Sequence, residues 1–372
     1  MKLLAFNWRD PENPEAGGAE LHLLEILSRA VRDGDQVTWL AEAFPGSKPE
    51  AVVQGIRILR RGSWYNAHLA LAQLYRRKLL GERFDLVLED INKVPFFTPC
   101  YVRAPVLAVV PHLFGATVFR EASPIVGALV WAHESLIPLV YRGVPFLAIS
   151  ESTRNDLVRR GIPRDLVAVV RCGLDHSRYA VTVPPETRAH PIVLFVGRLR
   201  KYKGAQYLIR AFPDILRSVP EARLNIVGDG PYRANLERLA TSLKIGDRIG
   251  FLGALSHRDK VDALNEAQVL AAPSPKEGWG LTVIEANACG TPVVASRSPG
   301  LVESVRDGET GILVPHGDVA ALAGAITALL QDRARRLTMA EAGVRWASGF
   351  TWERCYEDSR AVIERAAGAQ AA

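Results

Sequence analysis

Residues 276–295 read KEGWGLTVIEANACGTPVVA. Glu277 and Glu285 stand eight residues apart, with a Gly-Trp-Gly turn between them and a Gly-Thr-Pro turn after them. Upstream, the apolar run 269–272 reads as a strand, so 273–280 is a loop at a strand's carboxyl end. Gly280 opens a helix over 281–289 that carries Glu285 about one turn in, and 292–295 is the next strand. Strand, loop, helix, strand is the repeating unit of a parallel sheet. A helix start offers unpaired backbone N–H groups and a positive dipole end, which suit an anion. Carboxylates are poor phosphate ligands but good acceptors for sugar hydroxyls. The segment therefore fits a molecule with phosphate in its middle and a polyol at each end, as in a sugar nucleotide. An acid near a helix start is also an ordinary stabilising feature, so the spacing gains meaning only from its surroundings.

The same alternation extends outward in both directions. In the second half, strands are expected at 192–196, 223–227, 248–251, 269–272 and 292–295, and helices at 205–218, 233–243, 258–265 and 281–289. In the first half, strand 3–6 leads through a loop containing Gly17 and Gly18 to a helix at 19–33. Gly34 ends that helix, and strands follow at 36–40, 86–88, 106–110 and 146–149. Continuous apolar runs of this kind suit a parallel sheet buried on both faces. Residues 181–191, VTVPPETRAHP, contain three prolines and read as a linker. A chain of 372 residues is long for one core. The expected class is α/β, with two doubly wound domains and ligands outside the carboxyl ends of their strands.

Composition narrows the function. Hydrophobic residues make up 48% and charged residues 23%, a globular balance. The four cysteines are scattered without a CxxC pair, which argues against a zinc knuckle or disulfide framework and fits a reducing cytoplasm. The N-terminal MKLLAFNWRD reads as a strand rather than a signal peptide. The apolar stretch 124–150 is interrupted by His133, Glu134 and Arg142, which excludes a membrane span there. A net charge of +6 suits an anionic ligand or an anionic membrane surface. No zinc finger, RRM-like aromatic motif or long basic run supports nucleic acid as a partner. Residues 60–80, RRGSWYNAHLALAQLYRRKLL, have two readings: an amphipathic helix touching anionic lipid, or a core-facing helix with a solvated basic face.

The string EGWGLTVIEANACGTPVVASRSPGLVESVRDGETGILVP, 277–315, resembles the signature of the retaining glycosyltransferases of family 4, which have the GT-B fold of two Rossmann-like domains facing each other across a cleft. FVGRLRKYKG (195–204) is similar to the family's phosphate-binding strand and loop, and VGDGP (227–231) to its next strand-end turn. GGAE (17–20) resembles the glycine loop of the N-terminal domain, and ISESTRNDLVRRGIP with VVRCGLD the end of that domain.

The resemblance implies roles. Glu285 would bind the ribose hydroxyls. Glu277 would bind the transferred sugar and stabilise positive charge at its anomeric carbon; a glycosidase-like nucleophile is the rival role. Arg198 and Lys203 would clamp the diphosphate as its negative charge grows. Gly228, Trp279, Gly280, Leu281 and Thr282 complete the donor site, the last four through backbone donors, and Gly17 and Gly18 let the backbone approach the ligand. His112, after the strand VLAVV, would reach the donor sugar by hydrogen bonding, with general-base action as a chemical alternative. Asp33-Gly34-Asp35 matches D-x-D but reads as a turn, so no metal or other cofactor is expected. Glu89, Asp90 and Asn92 are as well explained by solvation as by acceptor contact.

These readings imply a metal-independent, retaining transfer of a hexose from a nucleotide-diphosphate sugar, UDP favoured over GDP, to a saccharide, lipid-linked or small-molecule acceptor. The acceptor side would comprise residues 1–180 with 355–372, and the donor side 188–354. The enzyme would be cytoplasmic, with peripheral contact at the inner face of the membrane left open. The rivals are a sugar-nucleotide isomerase such as a 2-epimerase, a non-catalytic sensor, and a dinucleotide oxidoreductase, whose G-x-G-x-x-G fingerprint is absent.

Overall fold

The computed structural model describes residues 1–120 and 123–368. The chain forms two compact units: Met1–Gly173 with the C-terminal helix Trp352–Gly368, and Leu174–Thr351.

The sheet of the first unit contains β1 (Lys2–Phe6), β2 (Gln36–Ala41), β3 (Glu50–Val53), β4 (Ile56–Arg60), β5 (Leu86–Asp90), β6 (Val106–Val110), β7 (Phe146–Ala148) and β8 (Val167–Val169). Their order is β3-β4-β2-β1-β5-β6-β7-β8. Every pairing is parallel except β3 with β4. Those two are joined by Gln54 and Gly55 at φ 49° and 80°, a tight hairpin turn. Leu4, Phe6, Leu59 and Val87 pack with Leu71, Tyr75 and Leu79 into one core cluster. A second cluster joins Ala108 and Val110 to Ile137, Tyr141 and Leu157.

The helix Gly18–Arg32 buries Leu23, Leu24, Ile26, Leu27 and Ala30, the apolar spacing expected of a helix with one face inward. Helix Trp352–Gly368 is tied to it: Arg29 bonds Glu353 at 2.6 Å, and the Tyr356 hydroxyl donates to Asp33. Asp35 takes both the N-terminal amine of Met1 and Arg360. Asp33 and Asp35 therefore serve as fasteners on either side of Gly34, whose φ is 94°.

Residues 60–80 are not one helix. Arg60 ends β4 and is buried in a bidentate pair with Asp10, at 2.6 and 2.8 Å. An α-helix follows at Ala67–Leu74, then a π-turn at Tyr75–Leu79.

The second unit holds β9 (Ile192–Val196), β10 (Arg223–Val227), β11 (Ile249–Gly253), β12 (Val269–Ala272), β13 (Val293–Ser296) and β14 (Gly311–Val314), all parallel, in the order β11-β10-β9-β12-β13-β14. Counted within this unit, that is 3-2-1-4-5-6, the Rossmann order. The direction of winding reverses between β9 and β12, and the loops there splay apart to leave a crevice. The helix Ala205–Ser218 fixes the face beneath β9. Its Leu208, Ile209, Phe212 and Ile215 are fully buried, each worth about 1.5–3 kcal/mol.

The proline-rich stretch 181–191 is welded to this unit rather than free. Asn265 accepts the N–H groups of Thr182 and Val183 at 2.8 and 3.3 Å. The Arg188 guanidinium is buried among the carbonyls of Val183, Ala267, Cys289 and Gly290. Burial there pulls its pKa down to about 10. Pattern reading sees only prolines and polar residues; one arginine that caps four carbonyls reverses the meaning.

Candidate functional site

Two strand-end loops meet at the switch point of the second sheet. The loop after β9 carries Arg198 and, in a short 3-10 turn, Lys203. Gly204 follows in the left-handed region, φ 80°, and a Cβ there would lie 2.3 Å from the carbonyl oxygen of Pro273. At Gly228, φ 125°, a Cβ would lie 2.0 Å from the oxygen of Gly197. Only glycine permits these approaches, which press the ends of β9, β10 and β12 together backbone to backbone.

That packing brings Lys203 onto Glu277. The ammonium lies 2.7 and 2.8 Å from the two carboxylate oxygens. Burial would lower the Lys203 pKa, but Glu277, with Tyr202 beside it, more than offsets this and the pKa is raised, against a smaller opposing push from Arg198. Glu277 is itself fixed from below. Its N–H donates to Pro299 at 3.0 Å, and a Cβ on Gly300 would sit 2.3 Å from its carbonyl oxygen.

The helix Leu281–Ala288 begins at Gly280, φ 90°, with no side chain capping it. Val283 and Ile284 donate back to the Gly280 carbonyl, so the N–H groups of Leu281 and Thr282 form the open end of the helix. The Trp279 side chain is buried edge-on to Phe350, centroids 5.3 Å apart, and anchors the loop. Glu285 is 7% exposed. Its Oε1 accepts from the Tyr179 hydroxyl at 2.7 Å and from Lys260 Nζ at 2.9 Å. Its Oε2 is buried and bonded to none of the described residues. One oxygen is thus used to aim the carboxylate and the other is left for a donor.

The remaining expected residues belong to the first unit. Gly17 caps the helix Gly18–Arg32 after β1, and its N–H donates to Glu20 at 2.7 Å. Behind it runs a buried chain: Asn92 to Glu20 at 3.3 Å, Asn92 to Asn7 at 3.0 Å, and Asn7 to Asp90 at 3.0 Å. Burial, with Glu20 and Glu89 nearby, pushes the Asp90 carboxyl well above the usual range. Glu89 is a structural clasp, accepting from the N–H groups of Phe96 and Thr98 and from the Tyr141 hydroxyl.

His112 follows β6, partly buried and edge-on to Phe114 at 5.1 Å. Its loop is pinned at both ends. Thr153 donates to Pro111 at 3.1 Å, and the fully buried Glu134 accepts from Phe114 N–H at 2.7 Å and Gly115 N–H at 2.8 Å.

Arg198, Lys203, Gly228, Glu277, Trp279, Gly280, Leu281, Thr282 and Glu285 thus share the strand-end side of one sheet. Gly17, Gly18 and His112 occupy the matching side of the other. Sequence reasoning missed Tyr179, Lys260, Gly300 and Glu134. Only two left a trace: Gly300 in the turn Ser-Pro-Gly, and Glu134 as a lone acid in an apolar stretch.

Comparison with known proteins bears on this geometry. Residues 183–346 match the model for glycosyl transferases group 1, and residues 16–178 that for glycosyltransferase family 4. The GDP-mannose-dependent alpha-(1-6)-phosphatidylinositol monomannoside mannosyltransferase of Mycolicibacterium smegmatis is 29% identical over 365 residues, covering 90% of this chain and 91% of that one. The D-inositol 3-phosphate glycosyltransferase of Nocardia farcinica is 38% identical over 223 residues, 56% of this chain and only 49% of that one.

Sucrose-phosphate synthase from Thermosynechococcus elongatus superimposes with a TM-score of 0.85 at 22% identity, over 98% of both chains. WaaG, a glycosyltransferase involved in lipopolysaccharide biosynthesis, does so at 0.78 and 16%, over 97% of this chain and 99% of that one. The two sequence models meet end to end across both units, and the folds agree over nearly the whole length. The chain is a glycosyltransferase of family 4 with the GT-B fold.

Proposed function

We propose that the protein transfers a hexose from a nucleoside-diphosphate sugar to an acceptor hydroxyl with retention of anomeric configuration, without a metal ion. The observation that carries this reading is the Lys203–Glu277 pair beside Arg198, at the open start of the helix that holds Glu285. Glu285 Oε2 receives a ribose hydroxyl. Arg198, Lys203 and the N–H groups of Leu281 and Thr282 take the diphosphate, whose negative charge grows as the bond to the sugar breaks. Glu277 binds a sugar hydroxyl and faces the developing positive charge at the anomeric carbon. Both its oxygens are held by an ammonium, which weakens it as a nucleophile and supports the electrostatic role over a covalent one.

In this front-face course the anomeric carbon loses its bond to the phosphate oxygen and gains one to the acceptor oxygen on the same side. The departing phosphate oxygen takes the acceptor's proton. His112 donates a hydrogen bond to the sugar, and Gly17 and Gly18 admit the ligand close to the backbone. Arg198 and Lys203 supply the charge a metal would otherwise supply, and Asp33 and Asp35 are engaged by Tyr356, Arg360 and the chain's own amine.

The M. smegmatis relative is GDP-mannose-dependent by name, while our preference for UDP rests on no residue, so both bases are tested together. The acceptor is a saccharide, a lipid-linked saccharide or a small polyol. Four free cysteines support a reducing, cytoplasmic setting. The test is incubation with UDP- and GDP-hexoses in chelator, with a panel of these acceptors and NMR of the product's anomeric proton. Acceptor-dependent product with the donor's anomeric configuration supports the proposal. An inverted product, or isomerised donor without acceptor, refutes it.

A further inference from the structure

Most of the large apolar side chains that meet solvent lie on one helix layer of the first unit. Trp64, Tyr65 and Leu69 are 72, 67 and 61% exposed, and Ile125, Leu129, Trp131 and Leu139 are 75, 55, 51 and 73% exposed. The first three stand at the start of helix Ala67–Leu74, the others on the helices Pro124–Ser135 and Ile137–Val140. The two groups are neighbours. Val144 packs against both core clusters beneath these helices. Phe97 stacks on His133 at 5.9 Å, and His133 acts electrostatically on His68.

The charges of these two segments have one sign toward solvent. Residues 61–81 contain no acid, and Arg61, Arg76, Arg77 and Lys78 are exposed. Residues 123–145 contain only Glu134, which is fully buried and spent on Phe114, Gly115 and Arg160, while Arg142 is exposed. Arg61 and Lys78 also line a cavity of about 250 Å³ at the foot of this layer, with Pro49, Leu59 and Leu74. Exposed apolar side chains clustered in this way mark an interaction surface. Tryptophan and tyrosine among them, and the exposed cations that these two segments carry, suit the boundary between headgroups and acyl chains. Among the described residues no helix is long and apolar enough to cross a membrane, so these short helices would lie on a bilayer rather than through it.

We propose that this face docks on the surface of an anionic lipid bilayer, with the side chains around Trp64 and Leu129 entering the interface and Arg61, Arg76, Arg77, Lys78 and Arg142 meeting the headgroups. The proposal does not rest on the donor-site reading, which uses none of these side chains.

Flotation of the full chain with vesicles tests it: phosphatidylcholine alone against phosphatidylcholine mixed with phosphatidylglycerol. The expected result is binding to the anionic vesicles that weakens as salt is added. The triple variant Ile125→Ser, Leu129→Ser, Leu139→Ser should lose binding at least roughly tenfold. Arg76→Gln, Arg77→Gln, Lys78→Gln should do the same. These side chains are exposed, so thermal melting should match the parent and confirm folding. Equal binding to neutral vesicles, or no binding to either, overturns the proposal. So does a dimer in light scattering that the apolar triple variant dissociates, because the face would then belong to a second copy.

Discussion

Lys203 Nζ sits between the two oxygens of Glu277, at 2.7 and 2.8 Å, although seventy-four residues separate them in the chain. On the proposed reading one residue serves the diphosphate and the other the sugar, so the pair would mark the point where the bond between those two groups breaks. Replacing Glu277 with Gln should lower turnover by about 10²-fold or more. Nucleoside-diphosphate affinity should change only a few-fold, because Gln still fills the loop. Lys203→Ala should weaken that affinity roughly tenfold or more as well as slowing turnover. Steady-state kinetics with calorimetry on both variants separates these outcomes, and near-normal turnover in Glu277→Gln would remove Glu277 from its role.

Glu285 is aimed by Tyr179 and Lys260 through a single oxygen. Tyr179→Phe removes one bond without changing the ring, so nucleotide affinity should fall about three- to tenfold, part of the worth of a hydrogen bond to a charged acceptor because Tyr179 acts through the carboxylate. Lys260→Met should cost at least as much. Glu285→Ala should cost more than either, and adding Tyr179→Phe to it should cost nothing further, as expected for residues acting through one carboxylate. Calorimetric titration of the four proteins checks the order.

Glu134 holds the His112 loop by two backbone N–H groups. Glutamine accepts at one oxygen but turns an amide toward the second N–H. Glu134→Gln should therefore lower kcat with little effect on donor KM, and cost about 1–3 kcal/mol of stability. If the loss runs through His112, the double variant with His112→Ala will be no slower than His112→Ala alone. Additive losses would mean that Glu134 serves the fold and not the histidine.

His22 lies 1% exposed beneath Trp352, with neither ring nitrogen hydrogen-bonded to any of the described residues. Burial pulls its pKa down to about 4, from 6.5. The unfolded chain therefore binds the extra proton first as pH falls, and stability is lost from about pH 6.5 down to about 4. The loss from this residue is on the order of 3 kcal/mol at most. Denaturant unfolding across that window should show the slope, and His22→Leu should flatten it.

The fold was legible wherever its signal was local. Apolar runs between glycine turns marked most of the parallel strands, though not the short β8 and β14, because a strand buried on both faces has no polar alternation to confuse it. The hairpin β3–β4 escaped, since Glu50 and Arg57 break its apolar pattern, although Gln54-Gly55 was a turn signal. Arg60 looked like one more surface cation, and Asp10 and Glu12, about fifty residues earlier, explain its burial. The site followed the same division. Glu277, Glu285 and the glycines lie within one strand–loop–helix segment and could be read together. Tyr179, Lys260 and Glu134 act across the fold, and spacing along the chain carries no record of that.

The central claim is a metal-independent nucleoside-diphosphate site at the switch point of the second sheet. Calorimetric titration of the intact protein with UDP, GDP, ADP and NAD, in the presence of a chelator, tests it most directly. The account predicts that one nucleoside diphosphate binds clearly above the rest, that NAD does not bind, and that Glu285→Ala weakens the favoured ligand at least roughly tenfold. Absence of binding by every diphosphate, or binding indifferent to Glu285, would contradict it.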